Sequence, residues 1–139
     1  MYFVTINWWA VLLAAVAHFI LGFLWYGPVF GKTWMRLSNI DPAMTDQMKA
    51  GAKKAYVISF IGALVMAYVI SLIVNNLLVL TLDNAVKLGA MLWLGFIATS
   101  NLSNFLFSKD KKPWSLYFLT GGYDLLGTVL MTVIIYWLQ

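Results

Sequence analysis

Two side chains in this sequence could handle a proton from inside long apolar stretches: His18, the only histidine, and Asp124, the only acidic residue within such a stretch. A charged group at the centre of a membrane helix costs about 2.5–3.5 kcal/mol, so a polar group placed there is usually aimed at a partner or at water. Asn101, Asn104, Ser59 and Tyr123 are the candidate partners, and with His18 and Asp124 they form the expected intramembrane polar cluster. A buried His–Asp pair titrates as one coupled unit, which would suit a proton relay or an ion-coupled site. Alternatively, these groups serve as interhelical hydrogen bonds that fix which helices meet, worth about 0.6–2 kcal/mol each. The residues alone leave both readings open.

Such a cluster needs elements that bring four stretches to one depth. A helical span takes roughly 20 mostly apolar residues at 1.5 Å rise each. Four stretches qualify: about 6–26, 55–75 with a possible extension to 82, 86–107 and 116–138. They are too long, and too uniform in polarity, for transmembrane strands. His18 lies eight residues before Tyr26, and Asp124 eight residues after Leu116. Both positions are therefore about 12 Å from the same membrane surface, counted by helix rise. Asn101, Asn104 and Ser59 fall at similar depth.

Composition supports the same class. Of 139 residues, 63% are hydrophobic and 10% charged, and the mean hydropathy is +0.85. A soluble domain is about 45–50% apolar and about 25% charged, and one this small could not hide the excess. The fold class expected is all-α: an integral membrane bundle of four transmembrane helices in a single domain over 1–139. A short amphipathic, interfacial segment is expected between helices one and two. Residues 1–9 carry no Lys or Arg, so the first stretch lacks the basic start of a signal peptide and is expected to be a permanent span.

Charge gives a direction. The expected loop 27–54 holds Lys32, Arg36, Lys49, Lys53 and Lys54, and the loop 108–115 holds Lys109, Lys111 and Lys112. The connection between spans two and three has Lys87 alone. Basic residues in short loops stay cytoplasmic, so both basic loops are expected inside and both termini on the non-cytoplasmic side. The expected partners are anionic lipid headgroups at the basic loops, and a second copy or another membrane protein within the bilayer. No nucleic-acid motif accompanies the charge.

Small and polar residues mark inward faces. Span one has Ala14, His18 and Gly22; span two has Ser59, Ala63, Ala67, Ser71 and Asn75. Span three has Ser100, Asn101, Asn104 and Ser108; span four has Thr120, Asp124, Thr128 and Thr132 beside Gly121 and Gly127. Trp25, Tyr26, Gly27, Pro28 and Trp34 form an interfacial motif in which Pro28 is expected to end the first helix. Asp41-Pro42 reads as an N-cap followed by Pro at the first helical position, and the helix that follows could run on into span two.

The stretches Leu24-Trp25-Tyr26-Gly27-Pro28, Phe30-Gly31-Lys32 and Trp34-Met35 have further company. Asn7-Trp8 precedes them, Trp93-Leu94-Gly95-Phe96 lies in span three and Gly122-Tyr123 in span four. Together these resemble the bacterial family called domain of unknown function 1761, over essentially the whole chain. The resemblance implies a small four-span protein of a bacterial inner membrane. In that family a polar residue such as histidine often follows the tyrosine of span four; here it is Asp124.

The chain has no cysteine, no glutamate and no second histidine, so no metal site and no cofactor is expected. It is not expected to be an enzyme, although Ser59 or Ser100 with His18 and Asp124 could imitate a catalytic trio. The function expected is structural, accessory or regulatory in the membrane. The alternatives are a small oligomeric transporter or channel using His18 and Asp124, and last an intramembrane enzyme.

Overall fold

The computed structural model describes residues 4–139; the first three residues of the expected single unit lie outside the described residues. Six α-helices follow in order: α1 (Trp8–Leu24), α2 (Gly31–Leu37), α3 (Thr45–Asn76), α4 (Leu82–Leu92), α5 (Thr99–Leu106) and α6 (Trp114–Leu138). A π-helical turn, Trp25–Val29, extends α1, and another, Trp93–Ala98, joins α4 to α5. No strand occurs among the described residues. Four helical stretches are long and apolar enough to cross a membrane: Trp8–Val29, Pro42–Asn76, Leu82–Leu106 and Trp114–Leu138. The fold is a four-span all-α membrane bundle.

Helix α6 is the central post. It packs most extensively against α4 and α1, and also against α3, while α1 packs against α3. Small side chains make these approaches possible: Ala10, Ala14 and Ala15 on α1 and Ala63 and Ala67 on α3 are buried, with Met131 and Ile135 of α6 filling the centre. Gly89 of α4 lies so near α6 that a Cβ there would stand 2.7 Å from the Val129 Cα. Close backbone approach of this kind is how helices associate without a hydrophobic drive. Spans two and three lean apart instead, separated by an apolar cleft of about 400 Å³ lined by Met66, Ile70, Leu92, Phe96 and Thr128.

Helix α3 runs for 32 residues, so the amphipathic helix after Asp41-Pro42 is continuous with span two. Asp41 caps its 3₁₀ lead-in, Pro42–Met44, by accepting from the Ala43 N–H. The apolar extension toward residue 82 is corrected. The helix stops at Asn76, Leu78 takes φ 49°, and Val79 N–H bonds to the Val74 carbonyl. This is a left-handed helix-ending turn. Thr81 then caps α4 by accepting from the Asn84 N–H, so span three begins at Leu82. The same turn closes α2, with Asn39 at φ 54° and Ile40 N–H bonded to the Met35 carbonyl.

Pro28 does not end the first helix. It sits inside the π turn, where Phe30 N–H reaches back five residues to the Trp25 carbonyl at 2.9 Å. Proline lacks an N–H and its ring crowds the carbonyl four residues back; the wider turn accommodates both. Only Phe30 then separates this turn from α2, whose Trp34 and Met35 are half-buried while Lys32 and Arg36 are exposed.

Candidate functional site

The expected polar stripes have different fates. On α1, α3 and α6 they reach the core: Ala14, Ala67, Ser71, Thr128 and Thr132 are at most 1% exposed. Thr128 and Thr132 donate to carbonyls of their own helix, those of Asp124 and Thr128, so these hydroxyls pack rather than bridge. The stripe of span three is corrected. Ser100, Asn104 and Ser108 are exposed, and that span buries Ala85, Gly89 and Ala98 instead. The π turn lies between the two halves. The stripe begins only after that turn, on the short α5, which meets α6 along one edge; Asn101 alone reaches a neighbouring span, and Ser108 lies beyond the helix end.

Within the layer of His18 and Asp124 the polar groups form two pairs, on two sides of α6. The Asn101 amide donates to Asp124 Oδ2 at 3.0 Å, joining α5 to α6. The Tyr123 hydroxyl lies 2.9 Å from His18 Nε2, joining α6 to α1. No ion pair joins His18 and Asp124 among the described residues, where the one ion pair is Lys87–Asp83 at the far end. Consecutive helical residues point about 100° apart at 3.6 residues per turn, which is why Tyr123 and Asp124 serve different neighbours. Ser59 and Asn104 are exposed and join neither pair.

The imidazole is seated by glycine. A Cβ on Gly127 would overlap the His18 ring at Nδ1, and one on Gly22 would stand 2.9 Å from the Tyr123 hydroxyl. His18 Nδ1 is buried and has no hydrogen-bond partner among the described residues. The His18–Tyr123 contact is therefore the one hydrogen bond that the imidazole makes, through Nε2.

The interfacial motif clamps the same end of α6. Trp25 donates from Nε1 to the Leu119 carbonyl at 3.1 Å, and its ring lies where a Cβ on Gly122 would touch it. Tyr26 packs edge-on against both Trp34 and Tyr123, with ring centroids 5.4 and 5.2 Å apart. A Cβ on Gly31 would fall 2.8 Å from the Tyr26 carbonyl, so α2 can follow that closely only with glycine there. Lys112 donates to the Ser38 carbonyl at 2.9 Å, joining the two basic loops. The Tyr117 hydroxyl donates to the Ala98 carbonyl at the end of the second π turn, at 2.9 Å. The interfacial motif in the sequence marks Trp25 only as a membrane-interface residue, because an aromatic belt position does not reveal its hydrogen-bond acceptor. Among the described residues no group of three His, Cys, Asp or Glu is arranged to hold a metal ion.

A compact four-span membrane bundle with a tryptophan- and tyrosine-pinned fourth helix is the class these features define. The family model described as "Protein of unknown function (DUF1761)" matches residues 9–136, and the chain belongs to that family. No curated protein and no solved structure matches.

Proposed function

We propose that this is a non-enzymatic accessory or regulatory protein of a bacterial inner membrane, with both basic loops cytoplasmic and both termini on the opposite side. One observation carries the functional part: His18 and Asp124 are each engaged in a bond that joins another span to α6. Asp124 receives the amide of Asn101, a group that neither takes up nor releases a proton in ordinary titration. His18 faces Tyr123 rather than a carboxylate. Neither residue orients the other as a base for Ser59 or Ser100, which a hydrolytic trio would require. The eight-to-one distribution of basic residues supports the orientation.

A transporter reading has one observation in its favour: the Tyr123 ring lines a groove of about 420 Å³. Reconstitution separates the two. Purified protein goes into liposomes loaded with a pH-sensitive dye, under an imposed pH gradient and membrane potential. The accessory reading expects dye responses equal to protein-free vesicles, for wild type and Asp124→Asn alike. It expects Asp124→Asn to change stability by less than about 1 kcal/mol, since asparagine keeps an oxygen for the Asn101 amide. A wild-type proton flux that disappears in Asp124→Asn would replace it with the transporter reading.

A further inference from the structure

Two grooves between α1, α2 and α3 share the walls Tyr26 and Tyr56 and so form one bipartite depression. The inner part, about 420 Å³, lies between α1 and α3 and is lined by Phe19, Gly22, Gly27, Ser59 and Tyr123 as well as the two shared tyrosines. The outer part, about 610 Å³, lies between α2 and the first turns of α3 and adds Trp34, Met35, Met48 and Lys49. Each volume is within the roughly 300–1,000 Å³ range of small-molecule sites. The depression exists because α3 overshoots the end of α1 while the π turn carries the chain aside into α2. A Cβ placed on Gly27 would meet nothing within 4 Å.

The two parts differ in chemistry. The inner part is aromatic and at membrane depth, where an unfilled gap would forfeit packing contacts and acyl chains are what the surroundings supply. The outer part carries the Lys49 ammonium. Lys53 follows one turn on, Lys54 is beside it, and Lys32 and Arg36 stand on α2. Across residues 27–54 these five cations face only Asp41 and Asp46, and no ion pair engages any of them among the described residues.

We propose that this depression is a binding site for an anionic phospholipid of the leaflet at the basic end. One acyl chain lies between α1 and α3, and the phosphate meets Lys49. This goes beyond the accessory reading and rests on the groove and its charge rather than on the polar pairs.

The test is native mass spectrometry of the protein from non-ionic detergent. It is offered equal phosphatidylglycerol and phosphatidylcholine with identical acyl chains. Wild type is expected to retain one phosphatidylglycerol in preference to phosphatidylcholine. Lys49→Gln should reduce that preference about fivefold, the worth of one basic residue at an anionic surface. Gly27→Leu, whose Cβ meets nothing within 4 Å, places a bulky side chain on the groove wall and should reduce retention of both lipids; Ser59→Leu on the opposite wall is the second filling variant. Melting temperatures matched to wild type show that the variants fold. Equal retention of the two lipids by wild type overturns the proposal, as does an undiminished preference in Lys49→Gln. Displacement of the lipid by inorganic phosphate would show a headgroup-only site, and cross-linking of two copies through this face would show a protein occupant; either result overturns it as well.

Discussion

The Tyr123 hydroxyl lies 2.9 Å from His18 Nε2, while the neighbouring residue, Asp124, turns to Asn101 of another span. One helix thus distributes two adjacent polar side chains to two different partners. The first and third spans are held to the fourth by separate polar contacts, not gathered around a shared centre, while the second packs against it. Interhelical hydrogen bonds of this kind average about 0.6 kcal/mol and reach about 1.7. Tyr123→Phe should therefore lower unfolding stability in detergent by about that amount. In a double-mutant cycle with His18→Ala the coupling should recover the same value; a coupling of zero would remove the pair from the account.

The glycines separate into two groups. Gly127 faces the His18 ring and Gly89 faces the α6 backbone at distances no Cβ tolerates, whereas Gly62 opens onto empty space. Gly127→Ala and Gly89→Ala should each cost about 1–3 kcal/mol through forced repacking. Gly62→Ala should be neutral, or stabilising by up to about 1 kcal/mol from helix propensity. Thermal unfolding of the three single variants in one detergent checks the contrast, and equal losses at all three sites would contradict it.

Two helix ends use the same left-handed turn with different residues. Asn39 suits φ 54°, since asparagine is among the residues that visit this region; Leu78 at φ 49° does not. Leu78 is 73% exposed, so its side chain contributes little packing within the chain. Leu78→Gly should raise stability by about 1 kcal/mol, while Asn39→Gly should change it by no more than a few tenths. Denaturant titrations of both variants measure the difference.

The absence of cysteine makes orientation directly measurable. Single variants Lys109→Cys and Gln139→Cys can be labelled in intact cells with a membrane-impermeant maleimide. The charge distribution expects Gln139→Cys to react from outside and Lys109→Cys to react only after permeabilisation. The reverse pattern would invert the assignment of both basic loops.

Much of this was legible in the residues. Four long apolar stretches admit only one architecture, because a backbone in lipid must satisfy its own hydrogen bonds. The stripes of Ala14, Ala67, Ser71, Thr128 and Thr132 announced the buried faces for the same reason that small residues always do in such bundles. Asp41-Pro42 announced its own cap. Helix periodicity could also set His18, Asp124 and Asn101 at one depth, since rise per residue is nearly constant.

What the sequence did not decide is azimuth. Depth follows from counting residues, but the direction in which a side chain points depends on every local change of winding and on how helices are rotated against each other. On α5, which meets α6 along one edge, Asn101 reaches Asp124 while Asn104 is exposed, and Ser108 lies past the helix end. The π turn at Trp25–Val29 kept Pro28 inside a helix, and Trp25 at its start donates to the Leu119 carbonyl of α6. The choice of Tyr123 rather than Asp124 as the partner of His18 was set by the close approach at Gly22 and Gly127. Composition and periodicity determined that there are four spans and how deep each polar group lies; only tertiary packing decided which of them meet, because contact depends on helix rotation and separation, which no one-dimensional pattern fixes.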